Sequence, residues 1–98
     1  MDIVFEKNQV NVNISTKEVF TYDLKGFNHS KEPIKVKAIG ASCGCLSFDN
    51  PQTLDPQSAF KIKLYLNKIN KPGLFSVSLS VDFSNGQKFL FKVAGSAV

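Results

Sequence analysis

Apolar residues recur at every second position along nearly the whole chain, and this spacing constrains the fold more than any other feature. Phe75, Val77, Leu79, Val81 and Phe83 alternate with Ser76, Ser78, Ser80 and Asp82. Phe60, Ile62, Leu64 and Leu66 alternate with Lys61, Lys63 and Tyr65. The same rhythm runs through Ile3 and Phe5, through Val10, Val12 and Ile14, and through Phe20, Tyr22 and Leu24. It returns in Ile34, Val36 and Ala38, and in Phe89, Phe91 and Val93. In an extended chain, side chains two apart share a face, so each segment has one apolar and one wet side. That is the pattern of antiparallel strands packed on one core. No window carries a helical stripe.

The gaps hold turn chemistry. Ser84-Asn85-Gly86 predicts a type I′ hairpin joining 74–83 to 87–94, because Asn and Gly tolerate positive φ. Asn67 to Gly73, cornered by Pro72-Gly73, reads as a longer hairpin loop after 58–66. His29 to Pro33 and Asn50 to Gln57 are further connections. The spacing predicts strands over 18–27, 33–39, 42–48, 58–66, 74–83 and 87–95, plus one or two N-terminal strands. About seven antiparallel strands at near-even spacing suit an all-β, immunoglobulin-like sandwich. With 98 residues the chain reads as a single domain, 1–98. The expected core is Val36, Phe60, Ile62, Leu64, Phe75, Val77, Leu79 and Phe91.

Composition narrows the partner class. All twelve basic residues are Lys and the net charge is +4. Sequence-specific nucleic-acid readers rely on the planar fork of Arg, so no specific nucleic acid is expected. Lys35, Lys37, Lys61 and Lys63 fall on the wet faces and read as solvated sheet surface. No stretch approaches the ~20 apolar residues of a membrane span, so no membrane insertion is expected. Met1-Asp2 opens no signal-like run. Taken as a native start, it predicts synthesis in the cytoplasm.

One stretch is distinctive. Ala41-Ser42-Cys43-Gly44-Cys45 is followed by a Pro-containing turn, the strand Phe60 to Leu66, Asn70-Lys71-Pro72-Gly73, a long alternating strand and Val93-Ala94-Gly95. This order resembles a family of bacterial Ig-like domains of unknown function, related to Hydin-type and PapD-like sandwiches. The resemblance spans roughly residues 14 to 96 and implies the same fold. Leu46 stands where the family usually has Thr, and Pro56-Gln57 where it usually has Pro-Gly. The family's members are mostly exported or anchored at the envelope. The resemblance carries over no catalytic residue.

Cys43 and Cys45 are the only cysteines. A disulfide between such near neighbours is rare, so the pair gives no reason to expect a stapled scaffold. Both sulfurs lie on one side of an extended segment and could share a soft ion such as Cu(I). A closed zinc site needs four ligands, and His29 is the one His. The favoured reading is that Cys43 and Cys45 pack as small apolar side chains beside a turning Gly. No metal site and no cofactor are therefore expected, with Cu(I) or redox chemistry at Cys43 and Cys45 the minor alternative. His29, in Gly26-Phe27-Asn28-His29-Ser30, reads as an exposed loop residue. The carboxylates form no pair suited to acid–base work.

The expected function is therefore non-enzymatic, exerted through the surface of the domain. The segment Val10-Asn11-Val12-Asn13, free of Pro and bulky charge, and the Ser-bearing strand Leu74 to Phe83 are candidates for pairing with another chain at a sheet edge, the plainer reading being an ordinary edge protected by nearby Lys. Small Ig-like proteins decorate phage capsids, and a Lys- and Asn-rich, Arg-free composition is that of AT-rich genomes. The leading expectation is an auxiliary decoration protein of the virion. Its partner would be the major capsid protein or another structural protein, and it could self-associate. The alternative is an adaptor domain of an exported envelope protein in the periplasm, where strand donation is one mode of action.

Overall fold

The computed structural model describes residues 2–49, 53–67 and 71–98. Among them are nine strands: β1 (Ile3–Phe5), β2 (Gln9–Ile14), β3 (Phe20–Asn28), β4 (Ile34–Ala41), β5 (Leu46–Phe48), β6 (Thr53–Leu54), β7 (Ser58–Leu66), β8 (Gly73–Phe83) and β9 (Lys88–Ala97). They form a four-stranded sheet, β1-β3-β7-β5, and a five-stranded sheet, β2-β9-β8-β4-β6. The two apolar faces meet in one core containing Leu24, Ile62, Leu64, Leu79, Val81, Phe83 and Phe91. The chain is an all-β immunoglobulin-like sandwich, as the period-two spacing requires.

The expected strand at 58–66 matches β7, and those at 74–83 and 87–95 match β8 and β9 within two residues. β8 and β9 pair antiparallel from Gly73↔Ala97 to Asp82↔Lys88. Their turn differs from expectation. Phe83 O accepts the Gly86 N–H, and Gly86 alone of the turn residues has positive φ, at 89°. That is a type I turn closed by a Gly bulge, a three-residue loop rather than the two-residue type I′.

Four further expectations are corrected. β7 and β8 lie in different sheets, so the segment after Leu66 carries the chain across the core instead of closing a hairpin; Lys68–Asn70 fall outside the described residues. Alternation marks the buried face of each strand but not the sheet it joins. Second, β2 pairs with β9 in parallel, from Gln9↔Lys92 to Ile14↔Ala97, so the strands are not all antiparallel. Third, no strand begins at Ser42: Ser42–Cys45 turn and β5 starts at Leu46. Fourth, a register shift between Val36 and Ala38 in the β4–β8 ladder breaks the alternation, leaving Ala38 exposed and Ile39 against the core.

Of the expected core, Ile62, Leu64, Val77, Leu79 and Phe91 are buried. Val36, Phe60 and Phe75 pack on the core but are only half-buried. Val36 sits at the shift in β4, Phe60 is near one end of β7 and Phe75 near one end of β8. Phe60 lies directly over Gly26, where a Cβ would stand 2.6 Å from its ring, so that glycine makes room for the ring. Phe5 meets Phe60 edge-on at 5.5 Å and stacks on Phe89 at 3.8 Å, joining the two sheets at that end.

Among the described residues, one polar side chain is fully buried. Asn28, at the end of β3, donates from Nδ2 to the carbonyls of Glu32, Leu54 and Asp55, and its Oδ1 accepts the Ser30 N–H. It fastens the β3–β4 connection to the end of β6 and satisfies backbone groups that cannot reach a ladder.

Candidate functional site

Among the described residues, β2 closes one side of the five-stranded sheet and has β9 as its only strand neighbour. Lys92 N–H donates to Asn8 O, Val98 N–H to Ile14 O, and Thr16 N–H to Val98 O. Residues that bond to β9 alternate along a parallel ladder, which leaves the backbone groups of Gln9, Asn11 and Asn13 directed away from the sheet. Their side chains are exposed and uncharged. Gln9 Nε2 donates to Asn11 Oδ1, and Ser96 Oγ donates to Asn13 Oδ1 at 2.7 Å. Beside them a shallow groove of about 230 Å³ is lined by Asn11, Val12, Asn13, Leu74, Gly95 and Ser96. Leu74, 91 % exposed, forms its apolar wall.

Gly95 makes the edge possible. Its φ is +159° and a Cβ there would fall 1.8 Å from Val12 O, with Val12 C and N inside 3 Å. Only a residue without a side chain lets β2 approach β9 at this register. Gly95 belongs to the Val93-Ala94-Gly95 stretch of the family resemblance, and its purpose is visible only once β2 is placed.

The other outermost strands are short or interrupted. The stretches of β3 and β7 that they leave uncovered carry Asp23, Lys25, Lys61 and Lys63. β8, the second bland strand, is paired with β9 almost throughout, and among the described residues it lacks a strand neighbour only along Gly73–Val77 on its β4 side. β1 and β5 are three residues long and β6 two. Beyond its two pairs with β6, β4 is bent by the register shift and carries Lys35 and Lys37. These are the devices by which sheet edges resist further pairing. β2 has six residues and neither a charge nor a proline.

The cysteines form the second feature. Cys43 and Cys45 are joined by a disulfide, against the expectation from their spacing. Spacing alone does not capture the turn, which brings the sulfurs together while Leu46 N–H returns to Cys43 O. With both sulfurs bonded to each other, neither is a thiolate ligand in this state. His29 adjoins the far end of β7, about 26 Å away by strand rise, so the structure does not bring it to the cysteines. It is exposed, with its ring 4.5 Å from that of Phe27. Among the described residues, no three of His, Cys, Asp and Glu gather as metal ligands. Among the described residues, no helix is long and apolar enough to cross a membrane. Tyr65 OH donates to Asp49 Oδ2 at 2.9 Å, and this bond raises the phenol's pKa above the ordinary value.

This geometry defines the chain as a PapD-like sandwich. The domain of human CEP192 described as an ASH / PapD-like domain superposes with a TM-score of 0.81 at 10 % identity, over 99 % of this chain and 85 % of that one. A protein of unknown function from Porphyromonas gingivalis W83 also gives 0.81, at 9 % identity over 96 % of this chain and 46 % of its own length. The YadV chaperone gives 0.58 at 15 % identity, over 99 % of this chain and 51 % of that one. At these identities the likeness is one of fold. No curated protein matches in sequence. The chain belongs to the family described as protein of unknown function DUF1573, whose model matches residues 3–96.

Proposed function

We propose that the chain is an interaction module that binds an extended segment of another protein along the edge of β2. The edge of β2 carries this reading: six uncharged residues with outward backbone groups at Gln9, Asn11 and Asn13, on the longest of the outermost strands. A strand added there gains main-chain hydrogen bonds to Gln9, Asn11 and Asn13, and its outer-face side chains lie beside the exposed side chains of those residues. The likeness to a chaperone and to an ASH / PapD-like domain fits such a role.

Two settings suit the module. The Arg-free composition favours a capsid shell as partner and the virion as location. The Cys43–Cys45 disulfide favours the envelope, because cytoplasmic thiols are kept reduced. We place the envelope reading first. A photo-crosslinking residue at position 11 should capture one partner in cells, whereas the same residue at position 63, on the opposite sheet, should not. Asn13→Pro should abolish capture at position 11 while the domain stays folded. Equal capture from both positions would remove the proposal. Fractionation of the captured complex separates the two settings: particles for the capsid, membrane or periplasm for the envelope.

A further inference from the structure

We infer that Cys43-Gly44-Cys45 is a thiol–disulfide exchange site whose substrates are protein or peptide dithiols. A bond that closes a loop over one intervening residue constrains the unfolded chain very little, so it is poorly suited to be a staple. The turn is held without it. Ser42 N–H donates to Ser78 O, Ser78 N–H to Ser42 Oγ, Leu46 N–H to Cys43 O and Asn67 N–H to Cys45 O. These bonds anchor both ends of the turn, to β8 on one sheet and to the end of β7 on the other. Reduction would therefore leave its shape in place.

The turn is also open to attack. Gly44 is exposed, and a Cβ built on it meets nothing within 4 Å. Both cysteines are half-buried at the rim of the core. The two sulfurs differ: the Cys45 N–H donates to Cys43 Sγ at 3.0 Å. A backbone donor stabilises negative charge on sulfur, so Cys43 is the better leaving thiolate. A substrate thiolate then attacks Cys45 Sγ, the Cys43–Cys45 bond breaks, and its electron pair leaves on Cys43. The second substrate thiolate attacks the substrate sulfur of the mixed disulfide and releases Cys45. The substrate dithiol is oxidised to a disulfide, and Cys43 and Cys45 are reduced to two thiols that take up its two protons. A small-molecule disulfide such as oxidised glutathione restores the starting state.

The test uses the full chain, oxidised and free of oxygen, mixed at pH 7 with a reduced peptide carrying two thiols. The expected result is peptide oxidation at least about tenfold faster than with oxidised glutathione at the same concentration, and none with Cys43→Ser or Cys45→Ser. A peptide with a single thiol should be trapped as a mixed disulfide on Cys45. The reduced protein should keep its β-sheet spectrum and a cooperative melt. A rate no greater than that of glutathione, an adduct on Cys43, or loss of the fold on reduction would each overturn the assignment.

Discussion

Removing the buried amide of Asn28 should be among the most damaging single changes in the domain. The side chain is 0 % exposed, and its Nδ2 serves three carbonyls, of Glu32, Leu54 and Asp55. In Asn28→Ala, the Leu54 carbonyl loses its donor where the bond is buried, at about 1–3 kcal/mol. The bonds to Glu32 O, Asp55 O and from Ser30 N–H are half-buried, so water replaces them in part, at a few tenths to about 1 kcal/mol each. The sum is about 3 kcal/mol, against a total of roughly 5–15 kcal/mol for a chain of this length. Urea unfolding should show a lower midpoint with an unchanged slope, and the melting temperature should fall by roughly 12–24 °C. Asn28→Asp adds a sign test. Its carboxylate would face carbonyl oxygens, which favours the protonated form and raises the folded-state pKa. The variant should therefore be closest to wild type at low pH and lose stability as pH rises above about 4. A loss below about 1 kcal/mol for Asn28→Ala, or an Asn28→Asp deficit that shrinks towards pH 7, would refute the reasoning.

Gly95→Ala should cost at least about 2 kcal/mol and free β2 first, seen as faster amide exchange at Val10 and Val12 than in β8, because the new Cβ collides with Val12 backbone. Leu79→Ala, at a site with 0 % exposure, should cost about 2–5 kcal/mol in chemical unfolding, and Phe75→Ala, half-buried, less than its size suggests. A melt unmoved by Leu79→Ala would contradict the facing of β8. Tyr65 should titrate above the ordinary phenol range by ultraviolet absorbance, and Asp49→Ala should lower its pKa.

The alternation of Phe75 to Phe83 and of Phe60 to Leu66 was enough to read two sheets with a shared apolar interior, since burial of one face is a local property of a strand. Features that depend on what lies opposite were not readable. Nothing in Val10-Asn11-Val12-Asn13 reveals that its partner runs parallel, and Gly95 has its reason only in the approach of Val12. The bend in β4 puts Ile39 rather than Ala38 inward, with no Gly or Pro between Val36 and Ala38, where the register shifts, to announce it. Asn28-His29-Ser30 carries a legible local signal, an Asn whose oxygen takes the N–H two residues on. Its three other partners, up to 27 residues away, belong to the tertiary fold. The candidate edge was visible as a bland, uncharged strand. That it is the longest of the outermost strands came only from the topology.

Backbone amide exchange along β2, residue by residue, tests the interaction edge most directly. In the free protein, Val10, Val12 and Ile14 should be protected while Gln9, Asn11 and Asn13 exchange rapidly, and the partner captured through position 11 should slow those three. Uniform protection of all six in the free protein, or no slowing at Gln9, Asn11 and Asn13 in the complex, would contradict a guest strand at this edge.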